Sequence, residues 1–373
     1  MNRNVVLFPT LLALSGALFG ACSSDNNVRQ LTEAGTNKDG GDFVPEEDAG
    51  LNCEDPESFN SCAISEPGVT KAPAYIYIVL DGSGSMIGDK WDAAVEALDA
   101  VFGDMNAQAD PTLAVGMMVF EDDLATGKYP GPKDILPGFV DQTQYLLLRN
   151  RIDKSGASGG TPTYAALTGA YTVMKSYQPS GVTPPNGNRV VVLMSDGEPT
   201  DDAAGCIKIA KSNLISDPPI KTFSVGIGPF PSGSGYDPEF MGNIALAGGT
   251  PATPTCKADA TNLADICHFQ ITPGGDVQKL KADFIEALNK IRGLSTGCEF
   301  VLEETGSLDP AQTTVIFTDG NGKSRCVEKD DGDGWSFDDP DAPTKIILNG
   351  QSCGDATADE ESKVKVIVGC KAN

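Results

Sequence analysis

The chain has 373 residues, 40% of them hydrophobic and 21% charged, which supports one large packed domain with a smaller one beside it and excludes wholesale disorder. Its formal net charge of -25 excludes nucleic-acid binding, which requires a basic face to displace counterions. Acidity of this degree gives a soluble, self-repelling surface and leaves room for binding cations.

The first element is an export signal. Arg3 supplies a positive start, Val5 to Gly20 is an apolar run, and Phe19-Gly-Ala-Cys22 closes it. The run falls short of a membrane span of ~20 residues and polar residues follow it. Small residues before a cysteine resemble the lipobox of bacterial lipoproteins, although Phe19 stands where that family usually has Leu. The resemblance implies a signal peptide over residues 1–21, removed so that Cys22 becomes the lipidated first residue and anchors the chain to a membrane. Ser23 after the cysteine, where Asp is absent, points within that family to the outer membrane, facing the periplasm or the exterior. The alternative is an ordinary cleaved signal and a secreted protein.

Residues 22–71 are rich in Asn, Asp, Glu and Gly and too poor in apolar side chains to offset chain entropy, so they read as a flexible tether. A regular alternation follows. Ala74 to Leu80 is a near-continuous apolar, β-branched run, the pattern of a strand buried on both faces. Between Lys90 and Met105, apolar residues at Trp91, Ala94, Val95, Leu98, Val101 and Phe102 have helical spacing. Leu113 to Phe120 is the next strand, Tyr145 to Ile152 and Tyr164 to Tyr177 are helices, and Arg189 to Met194 is a third buried strand. Ala203 to Leu214 is helical, Lys221 to Ile227 is a strand, and Asp276 to Ile291 is a long closing helix. Strands alternating with helices predict an α/β fold with a doubly wound, mostly parallel sheet and helices on both faces over residues 72–293.

After Gly293 the texture changes. Short strands at Glu299–Leu302, Thr313–Phe317, Lys345–Leu348 and Val364–Val368 are separated by Gly, Pro and Asp turns, so residues 294–373 read as a small β-rich, cysteine-containing domain. The chain carries ten cysteines, and setting Cys22 aside leaves nine, an odd number, so at least one stays free or pairs outside the chain. Export permits disulfides. Zinc is disfavoured, because no Cys-x-x-Cys pair exists and His268 is the sole histidine.

Three segments carry the chemistry. The first buried strand runs into Asp81-Gly-Ser83-Gly-Ser85, which offers a carboxylate and two hydroxyls at alternating positions. Thr161 lies in a Gly-Gly-Thr loop just before a helix, and Asp196 lies in Ser-Asp-Gly at the end of the third buried strand. Open α/β sheets bind ligands at the carboxyl ends of their strands, and carboxylate and hydroxyl oxygens suit magnesium, manganese or calcium. Together, in this order and on these elements, the motifs resemble the metal-ion-dependent adhesion site of von Willebrand factor A domains. The resemblance covers residues 74 to 293 or so. It implies a divalent cation, magnesium first, with Ser83 and Ser85 as direct ligands, Asp81 and Asp196 mostly water-bridged, and Thr161 binding in the competent state. It also implies a protein partner that completes the ion's coordination with an Asp or Glu side chain, no enzymatic activity, and a last helix that can shift on binding.

Other motifs weigh less. Gly156-Ala-Ser158-Gly-Gly160 fits the spacing of a hydrolase nucleophile but lacks the preceding buried strand, and His268 would be its only base. Gly322-Lys-Ser324 lacks the first glycine of a phosphate loop, and Asp330 to Gly334 fails the spacing of an EF-hand. Two other functions stay in view: an assembly subunit of an envelope complex with a purely structural metal, and a serine hydrolase built on Ser158.

Overall fold

A computed structural model describes residues 69–109, 113–121, 129–131, 133–153, 155–179, 187–231, 236–273, 277–296, 298–302, 313–358 and 362–368. The expected signal peptide and lipidation site Cys22, Cys53, Cys62, Cys370 and nearly all of the expected tether lie outside these residues. The described chain begins with β1 (Val69–Lys71), β2 (Ala74–Asp81), a 3-10 turn at Gly84–Met86, α1 (Asp89–Gln108), β3 (Leu113–Phe120) and β4 (Ile135–Phe139). It continues through α2 (Gln142–Asp153), α3 (Thr163–Ser176), β5 (Asn188–Ser195), α4 (Ala203–Leu214), β6 (Ile220–Ile227), α5 (Pro238–Ala247), β7 (Phe269–Ile271) and α6 (Val277–Thr296).

The central sheet has six strands in the order β4-β3-β2-β5-β6-β7. Every pairing is parallel except β3 with β4, an antiparallel edge. Because side chains alternate across a strand, each central strand supplies both cores. Ile76, Ile78 and Leu80 of β2 pack with α1 and α6 residues such as Leu98, Phe102, Phe284 and Leu288. Tyr75, Tyr77 and Val79 pack on the opposite face with α3, α4 and α5 residues such as Leu167, Ala210 and Ile244. Burial of β2, β3 and β5 along their whole length explains why those strands read as continuous apolar runs. The predicted doubly wound α/β architecture is therefore present.

Two helices start on side-chain caps. Asp202 Oδ1 accepts from Gly205 N at 2.8 Å at the head of α4, and Asp237 Oδ1 accepts from Phe240 N at 3.0 Å at the head of α5. Removing the first by Asp202→Ala is expected to cost about 1 kcal/mol in a urea melt, since one orphan helix N–H then loses its acceptor. An unchanged midpoint would show that water replaces the cap in full.

The C-terminal region comprises β8 (Glu299–Leu302), β9 (Thr313–Thr318), β10 (Ser324–Val327), β11 (Trp335–Phe337), β12 (Lys345–Leu348), α7 (Gly350–Ala358) and β13 (Lys363–Val368). It holds two antiparallel sheets, β1-β8-β12-β11 and β10-β9-β13, around a core of Phe300, Phe317, Trp335, Ile346 and Val366. The sequence reading needs correction in two places here. Val69–Lys71, the end of the expected tether, forms β1 and pairs with β8, and α7 is a helix where only strands and turns were expected. Disulfides join Cys256 to Cys267 and Cys298 to Cys353, Cys326 is also disulfide-bonded, and Cys206, on the buried face of α4, is free. Among the described residues no helix is long and apolar enough to cross a membrane.

Candidate metal centre

The chain leaves β2 for β3 on one side of the sheet and returns to β5 on the other. The helices that follow, α1 and α4, lie on opposite faces. The carboxyl ends of β2 and β5 thus flank the switch point where open α/β sheets leave a crevice. Asp81 ends β2, Ser195 ends β5 and Asp196 follows it directly. All three are buried, as is Ser83, while Ser85 is exposed.

One hydrogen-bonded chain joins these groups. Ser83 N donates to Asp81 Oδ1 at 2.8 Å, and Ser195 Oγ donates to Asp81 Oδ2 at 2.5 Å. The Ser83 and Ser85 hydroxyls lie 2.8 Å apart, and Ser85 Oγ donates to Asp196 Oδ1 at 2.6 Å. Lys90, in the first turn of α1, pairs with Asp196 Oδ2. The turn depends on Gly82, where a Cβ would meet Val119 Cγ1 at 2.8 Å and Phe120 O at 3.2 Å. Gly82 N instead donates to Phe120 O at 2.7 Å.

The Thr161 loop is held to the same edge by backbone bonds. Ser158 N donates to Gly82 O at 2.7 Å and Gly84 N to Gly159 O at 3.0 Å. Thr161 itself is 6% exposed, its N–H donates to Thr200 Oγ1 at 3.1 Å, and its carbonyl accepts from Thr200 N at 2.9 Å. Asp201 caps α3 by accepting from the backbone N–H groups of Tyr164 and Ala165, each at 3.0 Å. Asp201 and Asp202 therefore serve helix starts.

The donor set fits a hard divalent ion. It is all oxygen, two carboxylates and three hydroxyls, and it includes neither thiol nor imidazole. Cis ligands of an octahedral ion at ~2.0–2.1 Å lie about 2.8–3.0 Å apart, and the Ser83 and Ser85 hydroxyls stand at 2.8 Å. Among the described residues no group of three or more His, Cys, Asp or Glu side chains is placed to hold a metal, and the candidate set here draws on Ser and Thr hydroxyls besides its two carboxylates. Burial pushes the Asp81 carboxyl up to about 6, against the hydrogen bonds from Ser195 and Ser83 that favour its charged form.

Residues 76–267 match the family described as von Willebrand factor type A domain. The chain belongs to that family. Inter-alpha-trypsin inhibitor heavy chain H2 of Sus scrofa is 31% identical over 158 residues, and its Homo sapiens counterpart 30% identical over the same length. Each alignment covers 42% of this chain and 16% of the relative, so the chain spans about a sixth of the length of the curated relatives it matches. Among solved structures, a von Willebrand factor type A protein from Catenulispora acidiphila aligns at 15% identity and a TM-score of 0.41, over 83% of this chain and 65% of that one. The pilus adhesin SpaC from Lactobacillus rhamnosus GG aligns at 13% identity and a TM-score of 0.43, over 82% and 39%.

Within this type A domain, four of the five expected site residues, Asp81, Ser83, Ser85 and Asp196, share one hydrogen-bonded chain, and Thr161 sits in the adjoining loop. Ser195 and Lys90, which complete that chain, were not anticipated from sequence. The rival catalytic pair is not brought together. Ser158 Oγ donates to Glu121 Oε2 at 2.9 Å, while buried His268 shares a network with Tyr236 and Gln270. No hydrogen bond among the described residues joins Ser158 to His268. Burial holds the His268 imidazole below its ordinary range, as expected of a structural histidine.

Proposed function

We propose that this centre holds a divalent cation, magnesium in the first place and manganese or calcium as substitutes, and that it captures a protein partner through an Asp or Glu side chain that completes the ion's coordination. Ser83, Ser85 and Thr161 would hold the ion, and Asp81 and Asp196 would stand behind them. The ion supplies a Lewis-acidic point of attachment. The chain supplies neutral hydroxyls, which leave it electrophilic, and buried carboxylates, which orient those hydroxyls. The observation that carries this reading is the unbroken run of hydrogen bonds from Asp81 through Ser83 and Ser85 to Asp196. Export, lipidation at Cys22 and placement at the cell envelope, facing periplasm or exterior, complete the proposal. So does a non-enzymatic role.

A pull-down from envelope extracts tests it. Partner capture is expected with Mg²⁺, and is expected to vanish with a chelator or in the double variant Ser83→Ala, Ser85→Ala. Capture that survives both would refute metal-bridged binding. A melting temperature that falls on chelation, with no Mg²⁺-dependent partner recovered, would favour the assembly subunit with a structural ion.

A further inference from the structure

Lys90 is in an unexpected place. It is the second residue of α1, where the helix macrodipole favours negative charge, and its neighbours Asp89 and Asp92 follow that preference. A cation in the first turn is locally unfavourable. Its ammonium does not escape to solvent. It reaches across to Asp196 Oδ2, and the Lys90 side chain is only 24% exposed.

Asp196 explains the arrangement. Its side chain has no exposure at all, one oxygen accepts from Ser85 and the other faces Lys90. An ionised carboxylate out of contact with water needs a compensating charge. A neutral donor in place of Lys90 would satisfy the hydrogen bond and leave the charge.

We infer that Lys90 is a built-in counter-cation of the metal centre, which neutralises Asp196 before an ion arrives, restrains the affinity for that ion, and leaves the loaded centre positively charged. This rests on the metal reading above. Among the bonded side chains of the centre, Asp81 and Asp196 carry two negative charges and Lys90 one positive. A divalent ion turns a net charge of minus one into plus one, which one carboxylate from a partner brings to zero. Without Lys90 the loaded centre would already be neutral, and an acidic partner would gain far less from it. That difference matters in a chain whose net charge is -25, because only a local excess of positive charge draws in an anionic side chain at contact range. Lys90 thus trades metal affinity for preference toward an acidic partner.

The test is Mg²⁺ binding to the full chain by calorimetry, with melting curves in EDTA and in Mg²⁺, for wild type, Lys90→Met, Lys90→Gln, Lys90→Arg and Ser83→Ala. Both neutral variants are expected to bind Mg²⁺ about tenfold more tightly than wild type, equivalent to about 1.4 kcal/mol. They are also expected to melt lower in EDTA and to gain more on adding Mg²⁺. Lys90→Arg, which keeps the charge, should bind like wild type. If wild type binds Mg²⁺ and loses it in Ser83→Ala, but folded Lys90→Met and Lys90→Gln bind no more tightly, the role of Lys90 is refuted and the metal centre stands. If neither wild type nor the neutral variants bind, the metal reading fails and the inference with it. Binding by the neutral variants alone would uphold Lys90 as the resident cation and refute the metal reading of the wild-type chain.

Discussion

Replacing Glu299 with Gln is expected to cost about 3 kcal/mol of folding stability at neutral pH, the low end of the range for breaking a buried ion pair. Glu299, at the start of β8, has a side chain only 8% exposed and accepts from Lys221 Nζ of β6 at 2.7 Å and Lys345 Nζ of β12 at 3.0 Å. It thereby bonds a strand of the large sheet to one of the C-terminal sheets. Burial alone would push its carboxyl up, but the two ammonium groups overcome it and hold the group below its usual range. Gln would leave two ammonium groups facing each other across a neutral amide. The low end of the range applies because Lys221 is 39% exposed and can recover water. A carboxyl lowered in the folded state contributes its full stability above its unfolded value, ~4.3, and loses it as pH falls through the folded one. Urea midpoints of wild type and Glu299→Gln should therefore differ by a constant amount from pH 7 to about pH 5, and the gap should narrow progressively as the pH falls below the unfolded value of ~4.3. A gap that stays constant as the pH falls below the unfolded value would contradict the ion-pair account.

The same ion pairs show why part of the fold was invisible in the sequence. Strands β2, β3 and β5 were legible because burial on both faces writes a continuous apolar run. Strand β4 carries Pro137 and Gly138 and is half-exposed, features that locally read as a turn; only its antiparallel pairing with β3 makes it a strand. Strand β1 has three residues and no periodicity, and its existence depends on β8, more than 200 positions away by the pairing of Val69 with Leu302. Helix α6 was expected to end at Ile291 but continues through Gly293 to Thr296. Asn188 Nδ2 donates to the Ser295 carbonyl at 3.0 Å, a tertiary bond that offsets the glycine's weak helix propensity there.

The site divides along the same line. Asp81, Ser83, Ser85, Thr161 and Asp196 were readable because spacing and element ends are local properties. Ser195 and Lys90 matter only through a neighbour more than a hundred residues away, Asp81 for one and Asp196 for the other. Lys90 did leave a local trace, a cation in the first turn of a helix otherwise begun by acids.

Asp81→Asn is expected to weaken Mg²⁺ binding about 10–100-fold, as loss of a group that orients metal ligands does, while making the chelated protein more stable. Burial takes the Asp81 carboxyl from its ordinary 3.8 to about 6, which corresponds to roughly 3 kcal/mol of ionisation cost at neutral pH and sets an upper bound on the gain. The amide keeps an acceptor for Ser83 N, and the Ser195 hydroxyl can rotate to accept from the new NH₂, so the bonding around position 81 survives. The pH dependence runs opposite to that of Glu299. A carboxyl raised in the folded state takes up its proton more readily when folded, so in EDTA wild type should gain stability as pH falls from about 6 toward 4, and Asp81→Asn should not. A variant less stable than wild type in EDTA at pH 7, or one with an undiminished Mg²⁺-induced shift, would contradict this account. A buried carboxylate that destabilises the ion-free fold is out of place in a merely structural loop, where Asn would serve better. At the mouth of an open α/β sheet, beside two hydroxyls spaced for an octahedral ion, it is the group whose cost a bound cation would cancel.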